Sequence, residues 1–173
     1  MRTCIDSLLV GGERVEIIII DDGSTDQTGA IADEYASANP TVVKVIHQEN
    51  GGHGEGINQG AKHATGIYFK VVDSDDKMSE DFVSFLDALE KCEREGGVDL
   101  IVSNYYYVHT DGVGDRSIDY SSVLPKNCIF GWGIQNASVC TKCSPFIPAP
   151  SAPSSSKFGT SRCPKRCSMK ITL

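Results

Sequence analysis

Two acidic runs carry the first chemical hint in this chain, Asp21-Asp22 and Asp73-Ser74-Asp75-Asp76. Three carboxylates within four residues repel one another, and a divalent cation that prefers oxygen ligands, Mg²⁺ or Mn²⁺, relieves that repulsion. A cation held there can bridge the oxygens of a diphosphate. The same tetrapeptide is also compatible with a plain solvated loop, so its position in the fold decides between the two readings. Between the acidic runs lies ENGGHGEGINQG, whose glycines let the backbone come close to a ligand. For His53 in that loop, phosphate contact and simple solvation are the alternatives.

Residues of this kind act only where secondary structure holds them. Residues 15–20 form an apolar, β-branched run broken only by Glu16 and ended by DDGSTD, the pattern of a strand buried on both faces. Residues 25–38 place Ile31 and Tyr35 four apart behind Ser, Thr and Asp capping candidates, which predicts a helix. The order then repeats. TVVKVIH reads as a strand, 56–65 as a helix, GIYFKVV as a strand, 79–95 as a helix with acids in its first turn, and VDLIVSNYYYV as a fourth strand. Regular alternation of this sort predicts an open α/β sheet with crossover helices. In such sheets ligands bind beyond the carboxyl ends of the strands, and both acidic runs fall there.

The stretches EIIIIDDGSTDQT and QENGGHGEGINQGAKHATGIYFKVVDSDD, in that order and at that spacing, resemble the donor-binding half of family 2 glycosyltransferases. The resemblance covers residues 4–109. It implies a GT-A fold, a Rossmann-like open sheet, and inverting transfer of a sugar from a nucleoside diphosphate sugar, a uridine diphosphate sugar foremost, to an acceptor hydroxyl. By the same resemblance Asp21 or Asp22 contacts the nucleoside base, and Asn50, Gly51, Gly52 and Asn58 lie against the nucleotide. The D-x-D element becomes Asp73, nearer the ribose, and Asp75, the chief ligand of Mg²⁺ or Mn²⁺, with Asp76 beside them. The implied acceptor is a glycan or a lipid-linked saccharide of cell-surface polysaccharide assembly, with no nucleic-acid partner.

Two departures from that pattern stand out. Family members open with a strand and a nucleotide-binding turn ahead of a segment like CIDSLL, which here starts at Cys4, so an inner strand is expected to be missing. The catalytic base of the family is a carboxylate well after the D-x-D element, yet all 23 Asp and Glu lie at or before Asp119. Nine Lys and Arg accompany those acids, and seven follow Asp119 with no acid among them. Six of seven prolines and five of seven cysteines also lie beyond Tyr120. Residues 1–132 are therefore expected to form the nucleotide-sugar-binding domain, and 133–173 an irregular basic tail that is out of frame or disordered.

Three readings compete for that tail. Cys140-x2-Cys143 and Cys163-x3-Cys167 have spacing compatible with a four-thiolate zinc site. A flexible basic segment that stays solvated is the second. A shifted reading frame is the third and the leading one. Taking the last base of each codon with the first two of the next, the stretch from Arg162 can encode Leu-Pro-Glu-Ala-Leu-Phe-Tyr-Glu-Asp-Asn-Leu, which resembles the missing base segment. On that reading the tail packs against nothing and this chain has no general base.

Other function classes fit less well. A receiver-type signalling module shares the acidic pair and the bound Mg²⁺ but has no use for the glycine-rich loop. A non-catalytic nucleotide-binding remnant keeps the fold without the transfer. No apolar run reaches the roughly 18 residues that cross a bilayer, and MRTCIDSLLVGGE lacks a signal-peptide core, so a cytoplasmic protein, peripheral at most to the inner membrane surface, is expected.

Overall fold

The computed structural model describes residues 1–108, 114–124, 127, 129, 147–148 and 167–172, the last two stretches as backbone. Helix α1 spans Arg2–Leu9 and a 3₁₀ turn leads into β1, Val15–Asp22. Helix α2 follows at Thr28–Ala38, then β2 at Val43–Gln48, α3 at Gly52–His63, β3 at Tyr68–Asp73 and α4 at Phe82–Arg94. Two three-residue strands, β4 (Tyr105–Tyr107) and β5 (Arg116–Ile118), pair antiparallel as a separate ribbon. The chain ends in β6, Ile147–Pro148, and β7, Cys167–Thr172.

The main sheet has the order β2-β1-β7-β3-β6, its first four strands parallel and β6 antiparallel at the edge. Pro148 suits that edge, because proline has no amide to give to a further strand. Strand β1 is the centre of the core: Val15 and Ile17 to Ile20 are wholly buried. Alternation along the strand divides them between two faces. Val15, Ile17 and Ile19 join Cys4, Ile5 and Leu8 of α1, Ala32 of α2 and Phe82, Leu86 and Leu89 of α4 in one cluster. Ile18 and Ile20 point to the other face, on which α3 packs.

Glu16 shares that second face and is also buried, yet its carboxylate is fully used. Lys44 Nζ lies 2.6 Å from Oε1, and the Thr65 amide and hydroxyl donate to Oε2 at 2.8 and 3.1 Å. One buried carboxylate thus ties β1 to β2 and to the turn between α3 and β3. A buried charge is tolerated when its lone pairs are occupied in this way.

Two expectations from sequence are corrected here. The run VDLIVSNYYYV does not add a fourth parallel strand; only Tyr105–Tyr107 is a full strand, in the ribbon, and Val102, Tyr106, Tyr107 and Val108 are exposed. The edge of β3 that this run would have joined is taken by β6. The inner position expected to be empty is filled: β7 lies between β1 and β3, parallel to both, pairing Val15–Ile20 on one side and Phe69–Asp73 on the other. Residues 167–172 are therefore regular, whereas an irregular tail was expected for that stretch. Two facing rows of buried backbone N–H and C=O groups need partners, and any extended segment of this length can supply them. Cys140, Cys143 and Cys163, and the proposed boundary at 132–133, lie outside the described residues. Of Cys167 only its place in β7 is described.

Candidate functional site

The carboxyl ends of β1 and β3 come together on either side of β7, so the two acidic runs, far apart in sequence, share one edge of the sheet. A cleft of about 400 Å³ opens there, lined by Met1, Ser24, Thr25, Asp26, Thr28 and Ser74. Its walls are the loop after β1 and the turn after β3.

The acidic pair at the end of β1 is split by the strand pleat, since neighbouring residues face opposite sides of a sheet. Asp21 turns toward α2. It is buried, accepts the Ser24 amide on Oδ1 at 3.0 Å, and has His47 Nδ1 2.8 Å from Oδ2. Burial acts to raise its pKa, but the Ser24 and His47 hydrogen bonds outweigh it and hold the carboxyl below the ordinary carboxylate range. Asp22 turns toward α3. Its Oδ1 accepts from Gln48 Nε2 at 2.6 Å and the Gly51 amide at 2.8 Å, and Oδ2 accepts the Gly52 amide at 2.9 Å. The first free amides of α3 are therefore satisfied by a carboxylate from another strand, the charge favoured at a helix N-terminus.

That cap explains why α3 begins at Gly52 rather than at Gly56, where local periodicity would start it. It also requires the turn after β1 to lie against the glycine-rich loop. Gly23, at φ +78°, makes the approach possible: a Cβ there would stand 2.9 Å from the Asn50 amide nitrogen. Of the residues expected at the nucleotide, Gly51 and Gly52 thus have their amides engaged by Asp22. Asn58 lies nearly two turns further along α3 and donates to Glu55 Oε2 at 3.3 Å. Asn50 backs onto Gly23.

The end of β3 is built differently. The Asp76 amide donates to the Asp73 carbonyl at 3.0 Å, closing a tight turn, and the buried Cys4 thiol reaches the same carbonyl at 3.5 Å. Burial, with the negative charges of Asp76, Asp73 and Asp75 adding to it, pushes the Cys4 thiol up to about 11. Ser7 Oγ receives the Met78 amide at 3.0 Å, so α1 anchors the acidic turn at a second point. Among the described residues, no hydrogen bond or ion pair reaches the carboxyl groups of Asp73, Asp75 or Asp76. Partial desolvation, then the charges of Asp73 and Asp75, push the Asp76 carboxyl above the ordinary range, with Lys70 opposing. Among the described residues no three His, Cys, Asp or Glu converge as a ready ligand set. Mg²⁺ commonly takes only one or two carboxylates and completes its shell with phosphate and water.

Sequence reading passed over His47 and Gln48. His53, singled out in the loop, is exposed and no hydrogen bond or ion pair reaches it among the described residues, whereas His47 sits between Asp21 and Asp33 of α2, with Nε2 3.1 Å from Asp33 Oδ1. The signal available was positional: His47 ends the strand that pairs with β1, in register with Asp21.

A mostly parallel α/β sheet with a cleft and two acidic runs at its carboxyl edge is the arrangement of a partial GT-A domain. Residues 1–148 match the glycosyl transferase family 2 model, and the chain belongs to that family. The match runs well past residue 109, where the sequence resemblance ends. The chain is 38% identical over 112 residues to glycosyltransferase GlyG of Streptococcus pneumoniae, covering 63% of this chain and 36% of that protein. To putative glycosyltransferase EpsH of Bacillus subtilis it is 40% identical over 108 residues, 61% of this chain and 29% of the other. Glycosyltransferase GlyA of S. pneumoniae is 36% identical over 107 residues, 61% of this chain and 15% of that protein. The aligned part spans about a third or less of these relatives. Family membership removes the receiver-type alternative. Among the described residues no helix is long and apolar enough to cross a membrane.

Proposed function

We propose that this chain carries the donor-binding half of a glycosyltransferase that moves a sugar from a nucleoside diphosphate sugar, a uridine diphosphate sugar foremost, to an acceptor hydroxyl with inversion. The observation that carries this reading is the contrast along one sheet edge: the carboxylates of Asp73, Asp75 and Asp76 meet no partner among the described residues, beside an open cleft, whereas those of Asp21 and Asp22 are held by the chain. Asp73 and Asp75 would hold Mg²⁺ or Mn²⁺; the Asp76 carboxyl beside them is raised first by partial burial and then by the charges of Asp73 and Asp75, which such an ion would offset. When bound, the ion supplies positive charge to the leaving diphosphate.

The chain's own residues do the rest of the positioning. Asp22 holds the start of the glycine-rich helix, the Ser24 to Thr28 loop forms one wall of the cleft, and Cys4 and Ser7 of α1 fix the acidic turn that contributes Ser74 to the other. In this reading either Asp21 or Asp22 lies against the nucleoside base, as the family resemblance implies. The acceptor proton requires a general base, and beyond Asp119 the chain offers no carboxylate for it. Donor binding is therefore the step proposed for these residues themselves. Transfer to a glycan or lipid-linked acceptor, in cell-surface polysaccharide assembly, is proposed for the whole protein.

Calorimetric titration with uridine diphosphate, with and without Mn²⁺, tests the reading. Binding that needs the metal and is lost in Asp73→Asn/Asp75→Asn supports it. Absence of binding in a folded sample would leave a family member without donor affinity.

A further inference from the structure

We propose that His47 is a positioning residue for the cleft: as an imidazolium it ties Asp21 at the end of β1 to Asp33 on α2, and through Asp21 it fixes the Ser24 to Thr28 wall. This rests on the reading of the cleft as the site of a nucleoside diphosphate.

Both ring nitrogens of His47 lie within hydrogen-bond distance of carboxylate oxygens, 2.8 Å to Asp21 and 3.1 Å to Asp33. A neutral imidazole has one N–H and one lone pair, so it can donate to only one of them and sets its lone pair against the other. The doubly protonated ring donates to both. Asp21 divides its two oxygens between this ring and the Ser24 amide. Ser24 opens the segment that lines the cleft, and the Asp26 carboxylate accepts the Thr28 amide at 2.9 Å to start α2. One chain of contacts therefore runs from α2 through His47 and Asp21 to the cleft wall and back to α2.

On one side the pair is tightly packed. A Cβ on Gly29 would fall 2.7 Å from Asp21 Oδ2 and 3.4 Å from His47 Cε1, so the first turn of α2 presses on both partners. The charged groups facing the ring are Asp21 from β1 and Asp33 from α2. Asp26 lies next outward and feels the charge of Asp21, and on β2 itself Lys44 is committed to Glu16. With two carboxylates and, among the described residues, no cation against it, the ring is held protonated above its ordinary range, the Asp21 hydrogen bond contributing most and the Asp33 bond next, against some desolvation.

The test uses the full chain. Uridine diphosphate affinity in Mn²⁺ is measured by calorimetry from pH 5.5 to 8.5 for the wild type and His47→Gln, while NMR follows the His47 ring and the Ser24 and Thr28 amides. The ratio of the two affinities at each pH cancels the titration of the nucleotide and of Asp76. The expected result is a wild-type advantage of about fivefold at low pH that disappears as pH rises through the His47 titration, with the two amides shifting in step. Gly29→Ala, which crowds the clamp without touching the cleft, should reduce low-pH affinity in the same direction. A flat affinity ratio across the His47 titration, or loop amides that ignore it, overturns the proposal. Amides that follow His47 while no nucleotide binds at any pH overturn the donor-cleft reading, and with it the positioning role, leaving only the clamp.

Discussion

The ends of β1 and β3 both carry clustered aspartates at the same edge of the sheet, yet the protein treats them in opposite ways. Every carboxylate oxygen of Asp21 and Asp22 is met by a donor from the chain, whereas those of Asp73, Asp75 and Asp76 meet none among the described residues. The first pair spends its charge inside the fold, on a helix N-terminus, a loop amide and a histidine. The second cluster keeps its charge, at some electrostatic cost, and in the proposed reading a divalent cation meets it. Acidic residues at a strand end are thus not one kind of feature, and the difference lies in what the neighbouring elements offer them.

The largest test of this comparison acts on the strand that holds both ends in place. Met169→Pro removes a backbone donor from the middle of β7 and should destabilise the fold by about 3 kcal/mol or more, read by chemical denaturation. Amide exchange in β1 and β3 should rise together, because each pairs with β7; unchanged protection would show that their spacing does not depend on it.

Next in size is Asp22→Ala. It strips Gly51, Gly52 and Gln48 of their acceptor and should cost about 2 to 3 kcal/mol, with helicity lost at the start of α3. If stability is unchanged, Asp22 is not the cap the geometry makes it.

Asp73→Asn/Asp75→Asn should do the reverse. Removing like charges that have no partner among the described residues is expected to leave stability within about 0.5 kcal/mol of wild type while abolishing Mn²⁺ affinity. The raised Asp76 carboxyl sharpens this further: protons compete with the cation, so Mn²⁺ affinity should weaken as pH falls through the Asp76 titration. Metal affinity independent of pH in that range would separate Asp76 from the site.

The smallest effect belongs to the clamp at the end of β1. Asp21 titrates below its ordinary 3.8, so its contribution is present above that value and is lost as pH falls through the depressed one. His47 titrates above its ordinary 6.5, so its contribution is complete below that value and is lost as pH rises through the raised one. Stability relative to His47→Gln should therefore be greatest between these limits and decline on the alkaline side by less than about 1 kcal/mol, since the ring is half exposed. A difference that grows with pH would reverse the assignment.

Local pattern determined a good deal of this protein. The apolar runs of β1, β2 and β3 and the amphipathic periodicity of α2 and α4 are properties of adjacent residues, and the elements fall where those patterns place them, within a few residues at the ends. The acidic runs at strand ends, and the family they point to, were legible for the same reason: motif residues sit close together in sequence. What the sequence left undecided depends on partners far away in it. The start of α3 is set by Asp22, thirty residues earlier; the environment of Asp21 is set by His47, twenty-six residues later; the buried Glu16 finds Thr65 across forty-nine. The filling of the inner strand position by Cys167–Thr172 is the extreme case, because a backbone ladder selects for extended chain and unpaired neighbours rather than for a readable side-chain pattern. Only the tertiary structure decides which carboxylates are consumed by the fold and which are left for a ligand, since that depends on which donors the folded chain brings within about 3 Å.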